Sequence, residues 1–141
     1  MNGITTAAPQ RLVLGLTILR VIVGIIFIAH GAQKLFVFGL GGVTQGFTQF
    51  GVPLPALTAP LVTFVELLAG IALVLGLFTR IAAILLAIDM VGAILFVHAK
   101  NGLFLPTGFE YALILLTVFV TIAMSGPGAY AIDDRFMSPR L

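Results

Sequence analysis

The chain contains no cysteine. That excludes structural disulfides, thiolate metal sites and any thiol relay of its own. Redox work here would have to run through a bound cofactor, a quinone or a partner protein. Charge is nearly as scarce: 9% of the 141 residues are charged, against about 25% in an ordinary soluble domain. With 60% hydrophobic residues and a mean hydropathy of +1.22, the composition is that of an integral membrane protein whose surroundings are a lipid bilayer. The net charge of +2 comes without a basic stripe, its few cations lying at ends and turns. That arrangement excludes tracking of nucleic-acid phosphates. GxSxG, HExxH and phosphate-loop glycine patterns are also missing, no nucleophile stands beside a base, and no metal site is expected. The opening MNGITTAAPQ lacks a basic n-region, and the apolar run after Arg11 is too long for a signal core. It reads as an uncleaved first span.

What the chain does have is long apolar runs. They predict one all-α domain over residues 1–141, an integral membrane four-helix bundle with spans at about 12–36, 56–78, 81–98 and 109–125. Between the first two the pattern breaks from Gly39 to Pro60, with a short interfacial helix over Val43–Phe50 that sinks Phe47 and Phe50 into the membrane. Thr79-Arg80 makes a tight turn, so the third span packs antiparallel to the second. The loop from Asn101 to Gly108 dips toward the interface. Gly126-Pro127-Gly128 stops the fourth span, as glycine followed by proline should, and a polar tail follows along the surface. The threonines of that span, Thr117 and Thr121, suit helix packing in lipid. Arg11, Arg80, Arg135 and Arg140 fall on one side, Lys34 and Lys100 on the other. The excess of cations places both termini in the cytoplasm.

The ionisable groups inside the spans carry the chemistry. Glu66 sits near the middle of the second span, where a charge costs several kcal/mol unless neutralised, paired or facing a protein-lined cavity. Counted at 1.5 Å per residue from the cytoplasmic ends, Arg20 lies about 12 Å deep, Asp89 about 13 Å and Glu66 about 18 Å. The three groups on three spans are therefore expected to meet as a buried polar cluster. A structural ion cluster keeps charge away from lipid; a proton or substrate site uses the same groups, because intramembrane ionisables mark pathways. One cation against two acids leaves a carboxylate unbalanced, so one acid holds a proton. On the first span Arg20, Gly24, Phe27, Gly31 and Lys34 share a stripe, and its glycines permit close helix approach.

A second polar layer is expected at the outer face: His30, Lys34, His98, Lys100, Asn101 and Glu110. The two histidines lie about 27 Å from the cytoplasmic ends. Histidines on different helices can ligate haem or metal, or bind a quinone oxygen. At headgroup depth they more commonly anchor to water or backbone, and haem is the less favoured reading. Glu110 suits the positive N-terminus of the fourth helix.

The order of motifs resembles the DoxX family. An arginine span ends in GAQKLF (Gly31 to Phe36), then come FGVP (Phe50 to Pro53) and VELLAGIALVLGLFTRIAA (Val65 to Ala83). Asn101-Gly102, Glu110, GPG (Gly126 to Gly128) and Asp133 complete it, so that the likeness runs from Arg20 to Asp134. It implies a four-span bacterial inner-membrane bundle. The family takes its name from subunits linked to thiosulfate:quinone oxidoreductase, and other members are tied to redox stress. Matched position by position, its motif residues here are Arg20, Lys34, Glu66, Arg80, Asn101, Glu110 and Asp133; Asp89 and the histidines come from the depth argument alone.

Three functions compete. A redox-associated membrane subunit would interact with quinone or a partner oxidoreductase, any enzymatic role being that of an oxidoreductase subunit without thiol chemistry. A small proton-coupled carrier or permease would use the mid-membrane charges. A structural assembly protein would use them for folding only. Substrate and oligomeric state, a homo-oligomer included, stay open.

Overall fold

Backbone in lipid must satisfy its own hydrogen bonds, and helix does this within one segment. The computed structural model describes residues 7–137, and apart from the connecting turns they follow that form. Helix α1 (Ala7–Ala32) runs through a π-helical segment (Gln33–Phe38) into α2 (Gly39–Phe50). Then come α3 (Pro55–Leu75), α4 (Thr79–Gly92), a second π-helical segment (Ala93–His98), a 3-10 turn (Ala99–Asn101), α5 (Glu110–Ser125) and a short α6 (Asp133–Met137). No strand occurs among the described residues. Arg140, one of the arginines used above to orient the chain, lies outside them.

The architecture is an all-α membrane bundle. Three stretches, Pro9–Phe50, Pro55–Leu75 and Thr79–Asn101, are long and apolar enough to cross a membrane. At 16 residues α5 is shorter, about 24 Å against a hydrocarbon core of about 30 Å. The expected break after the first span is corrected: helix continues from Pro9 to Phe50 with no loop. Such a length would be about 63 Å if straight, yet α2 packs back against α3. The path is redirected at Gly39, whose φ is +69°, a value glycine takes without a Cβ clash. The short helix of the sequence reading is thus real, begins four residues earlier, and buries Val43.

Close approach of α1 and α3 sets the register. A Cβ on Gly31 would lie 2.6 Å from the Leu67 nitrogen, and one on Gly70 2.8 Å from the Ile28 nitrogen. Neither helix can take a methyl there without moving apart, and this is how small residues let backbones touch in lipid. Gly76 closes α3 at φ +66°, with Leu77 N donating to Ala72 O at 2.9 Å, a left-handed helix stop. The chain re-enters helix at Thr79, so α3 and α4 form the antiparallel pair expected from the tight turn.

The core joins α1, α3, α4 and α5. Phe27 meets Phe119 edge to face, ring centroids 4.9 Å apart, and Leu73, Leu86 and Ile122 are fully buried around them. Thr117 and Thr121 do not pack as expected. Both are exposed and donate to carbonyls of their own helix, Leu113 O at 2.9 Å and Thr117 O at 2.8 Å.

Candidate functional site

Glycine contacts fix what Glu66 meets. With Gly31 against Leu67 and Gly70 against Ile28, the residue one turn beyond Gly31 faces Glu66. That residue is Lys34. Its Nζ forms an ion pair with Glu66 Oε2, while Glu66 is only 4% exposed. A buried carboxylate is tolerated when a cation is hydrogen-bonded to it, so the pair explains how an acid survives mid-span.

Asp89, on α4, lines the same space as Glu66 and Lys34. Its Oδ2 is buried and receives no hydrogen bond. The space is a cavity of about 560 Å³ that reaches from the Phe27 level toward Pro53 and His98. Phe47, Phe50, Phe96 and Tyr111 supply aromatic walls, and Lys34, Glu66 and Asp89 form the charged part. Chemically it is an apolar slot that also holds one ammonium and two acids. Pockets of roughly 300–1,000 Å³ with a few convergent polar groups are the usual form of a small-molecule site.

Arg20 does not join this cluster, contrary to the depth count. Its Nη1 lies against Gly76, where a Cβ would come within contact distance. Gly76 is ten residues beyond Glu66, about 15 Å along the helix. The count failed because it took the helix ends as level: Arg20, thirteen residues into α1, stands beside Gly76 just past the end of α3, so α1 projects well beyond α3 at this side. Of the three expected partners, Glu66 and Asp89 come together and Lys34 takes the place of Arg20.

Arg20 serves the opposite end instead. It is 1% exposed and donates from Nη2 to Ala129 O at 3.2 Å. Thr17 Oγ1 accepts from Ala129 N at 2.7 Å. The tail after Gly126 is therefore not a loose polar surface segment but a strap across the helix ends. Asp133 fastens it: Oδ1 accepts from Phe78 N at 2.7 Å and Oδ2 from Thr79 N at 2.8 Å. A carboxylate on the first N–H groups of α4 fits both the unsatisfied donors and the helix dipole. Burial pushes the Asp133 carboxyl up, but hydrogen bonds from Thr79 and Phe78 and the nearby Arg20 guanidinium outweigh it and hold it below its ordinary value. The depth argument missed this role. The available signal was Asp133 standing shortly after a helix-stopping Gly-Pro-Gly.

The outer layer divides in two. His30 and His98 line the cavity with Lys34; His98 Nδ1 also lies 3.0 Å from Thr107 O. Lys100, Asn101 and Glu110 are not among the residues that line the cavity. Lys100 Nζ stands 5.1 Å from the Phe50 ring centroid, a cation–π contact between the 3-10 turn and the end of α2. Asn101 donates to Thr107 O at 3.3 Å, and Glu110 Oε1 accepts from Leu105 N at 2.7 Å, pinning the loop before α5. Among the described residues no group of three or more His, Cys, Asp or Glu is arranged to hold a metal.

Comparison with known proteins adds a family. The DoxX family model matches residues 15–99, which contain Arg20, Lys34, Glu66 and Asp89. An uncharacterized protein of Haemophilus influenzae is 37% identical over 140 residues, covering 96% of this chain and 98% of that one. Putative oxidoreductase CatD of Bacillus subtilis is 36% identical over 120 residues, 85% of each chain. Inner membrane protein YphA of Escherichia coli is 32% identical over 129 residues, 85% of this chain and 89% of its own. No solved structure matches.

Proposed function

The chain belongs to the DoxX family of membrane proteins, and on that premise we propose that it binds a quinone head group in the Lys34–Glu66–Asp89 cavity, in the service of a partner oxidoreductase. In this reading it is a four-pass protein of the bacterial inner membrane with both termini in the cytoplasm. The observation that carries the proposal is the cavity itself: about 560 Å³, walled by aromatics and lined by Lys34, Glu66 and Asp89. A quinone is a flat apolar ring with two carbonyl oxygens, which become hydroxyls on reduction. Lys34 and His30 are donors suited to a carbonyl oxygen. The buried, undonated Oδ2 of Asp89 is an acceptor suited to a hydroxyl, and an unmet buried acceptor is costly without one. Phe96 and Tyr111 offer faces and edges to the ring. When bound, a quinone supplies two-electron, two-proton redox chemistry. The residues of this chain hold its oxygens, exclude water and keep protons at hand. With no cysteine in the sequence, electrons reach the site from the partner. The oxidoreductase name of the Bacillus subtilis relative supports the direction of this reading.

Extraction of the protein purified from its own membranes, with quinone detection by chromatography and mass spectrometry, tests it. Stoichiometric quinone is expected, reduced several-fold in Asp89→Asn. A quinone-free preparation with no co-purifying oxidoreductase overturns the proposal.

A second reading draws on a different observation, the excess of acid over cation in a mid-membrane cavity. Such a site suits a proton-coupled carrier. Proton-driven flux into liposomes that disappears in Glu66→Gln would support it, and flux equal in wild type and variant would remove it.

A further inference from the structure

The charge count of the cavity leads beyond ligand identity. Glu66 and Asp89 come from different helices into one site, and a single ammonium, Lys34, is paired there with Glu66. The other titratable groups around the space are His30 on α1, His98 in the second π-helical segment and Tyr111 on α5. His98 is engaged with the Thr107 carbonyl, and Lys100, which does not line the cavity, stands over Phe50. Arg20, the remaining mid-helix cation of α1, is committed to the strap at the opposite end. Lys34 is therefore the only fixed cation inside the pocket among the described residues.

Two carboxylates confined together cannot both remain ionised cheaply, and such pairs share a proton. The buried Asp89 Oδ2, which accepts no hydrogen bond, shows where the second acid is left unsatisfied. We propose that Glu66 and Asp89 hold one exchangeable proton between them against Lys34, making the pocket a proton-binding site of fixed capacity. The inference shares the cavity with the quinone reading, yet it requires no quinone: the proton belongs to the acid pair with the pocket empty of ligand. Under that reading the pair is the local source or sink for a hydroxyl proton. The two acids titrate as a unit, so neither owns the proton.

The stoichiometry makes an unusual demand on variants. In wild type one acid is neutral. In Glu66→Gln or Asp89→Asn the one remaining acid faces Lys34 alone and is ionised. Removing either acid thus removes the neutral one, whichever is deleted. In Lys34→Met no cation remains and the neutral fraction rises.

Dicyclohexylcarbodiimide, which reacts with protonated carboxyls in apolar surroundings, reads this directly. The protein is reconstituted in quinone-free lipid, treated with the reagent, digested and mapped by mass spectrometry. Wild type is expected to label at the Glu66 or Asp89 peptide, with a yield that falls as pH rises. Glu66→Gln and Asp89→Asn should each lose at least tenfold of that labelling, and Lys34→Met should gain. Monodisperse elution in detergent qualifies each variant, and the wild-type pH profile stands if a variant fails to fold. Absence of wild-type labelling at these peptides overturns the proposal. So does undiminished labelling in either single-acid variant. Quinone content is measured separately, so loss of the quinone reading leaves this outcome unaffected.

Discussion

Lys34 gives the acids of the pocket their reason to be there. Because Asp89 lines the same pocket as Glu66 and Lys34, deleting one acid leaves the other to pair with the ammonium. Deleting both strands Lys34 in an apolar site, and an uncompensated buried charge costs about 3–5 kcal/mol. The double variant Glu66→Gln, Asp89→Asn is therefore expected to lose more thermal stability in detergent than the two single losses added together. Strict additivity in melting experiments would separate the two acids energetically. At this scale Glu66 was legible in the sequence, since an acid mid-span demands a partner. Which partner was not. Arg20 and Lys34 lie fourteen positions apart on one helical stripe, and depth counting depends on helix ends that apolar runs locate poorly. The contacts of Gly24, Gly31 and Gly70 decide it, and they are visible only once α1 and α3 are packed.

At the scale of elements, two devices hold the frame. The first is glycine-mediated contact between α1 and α3. Gly31→Ala places a Cβ 2.6 Å from backbone of Leu67, so the helices must part at the level of the ion pair. Overpacking of this kind costs about 1–3 kcal/mol. Gly46→Ala on α2, with open space around its Cβ position, is the control and should be neutral or slightly stabilising, as measured by detergent melts. The second is the strap. Asp133→Ala removes the cap of α4 and is expected to cost about 0.5–2 kcal/mol. Because the folded Asp133 carboxyl lies below its ordinary value, the folded state holds fewer protons there than the unfolded chain. Its contribution is complete above the unfolded value of about 3.9 and fades as pH falls through the folded one. Acid melts of wild type should thus steepen below about pH 4, and Asp133→Ala should lose that component. The tail was read from sequence as a polar surface run; its docking could not be seen, because its partners Thr17, Arg20 and Thr79 lie 54 to 112 residues away in the chain.

Over the whole molecule, the apolar runs were enough to set out an all-α membrane bundle, and the DoxX match agrees with them. The continuity of α1 with α2 was hidden by glycine-rich composition, which in this chain redirects a helix rather than ending it. Four passes with cytoplasmic termini remain to be measured, and a chain without cysteine is suited to it. A single cysteine at the exposed Tyr130 should react with a membrane-impermeant thiol reagent only from the cytoplasmic side, and one at Lys100 only from the other. Same-side reactivity would remove the topology.

The central claim is that the acid of α3 is neutralised by Lys34 and not by Arg20, and a charge exchange tests it most directly. Thermal melts in detergent compare Lys34→Glu, Glu66→Lys and the exchanged double variant. Each single change should destabilise the protein severely, and the exchange should recover a large part of the loss, while the corresponding exchange between Arg20 and Glu66 recovers none. An exchanged Lys34/Glu66 protein no more stable than its worse single parent, or recovery by the Arg20 exchange, would contradict it.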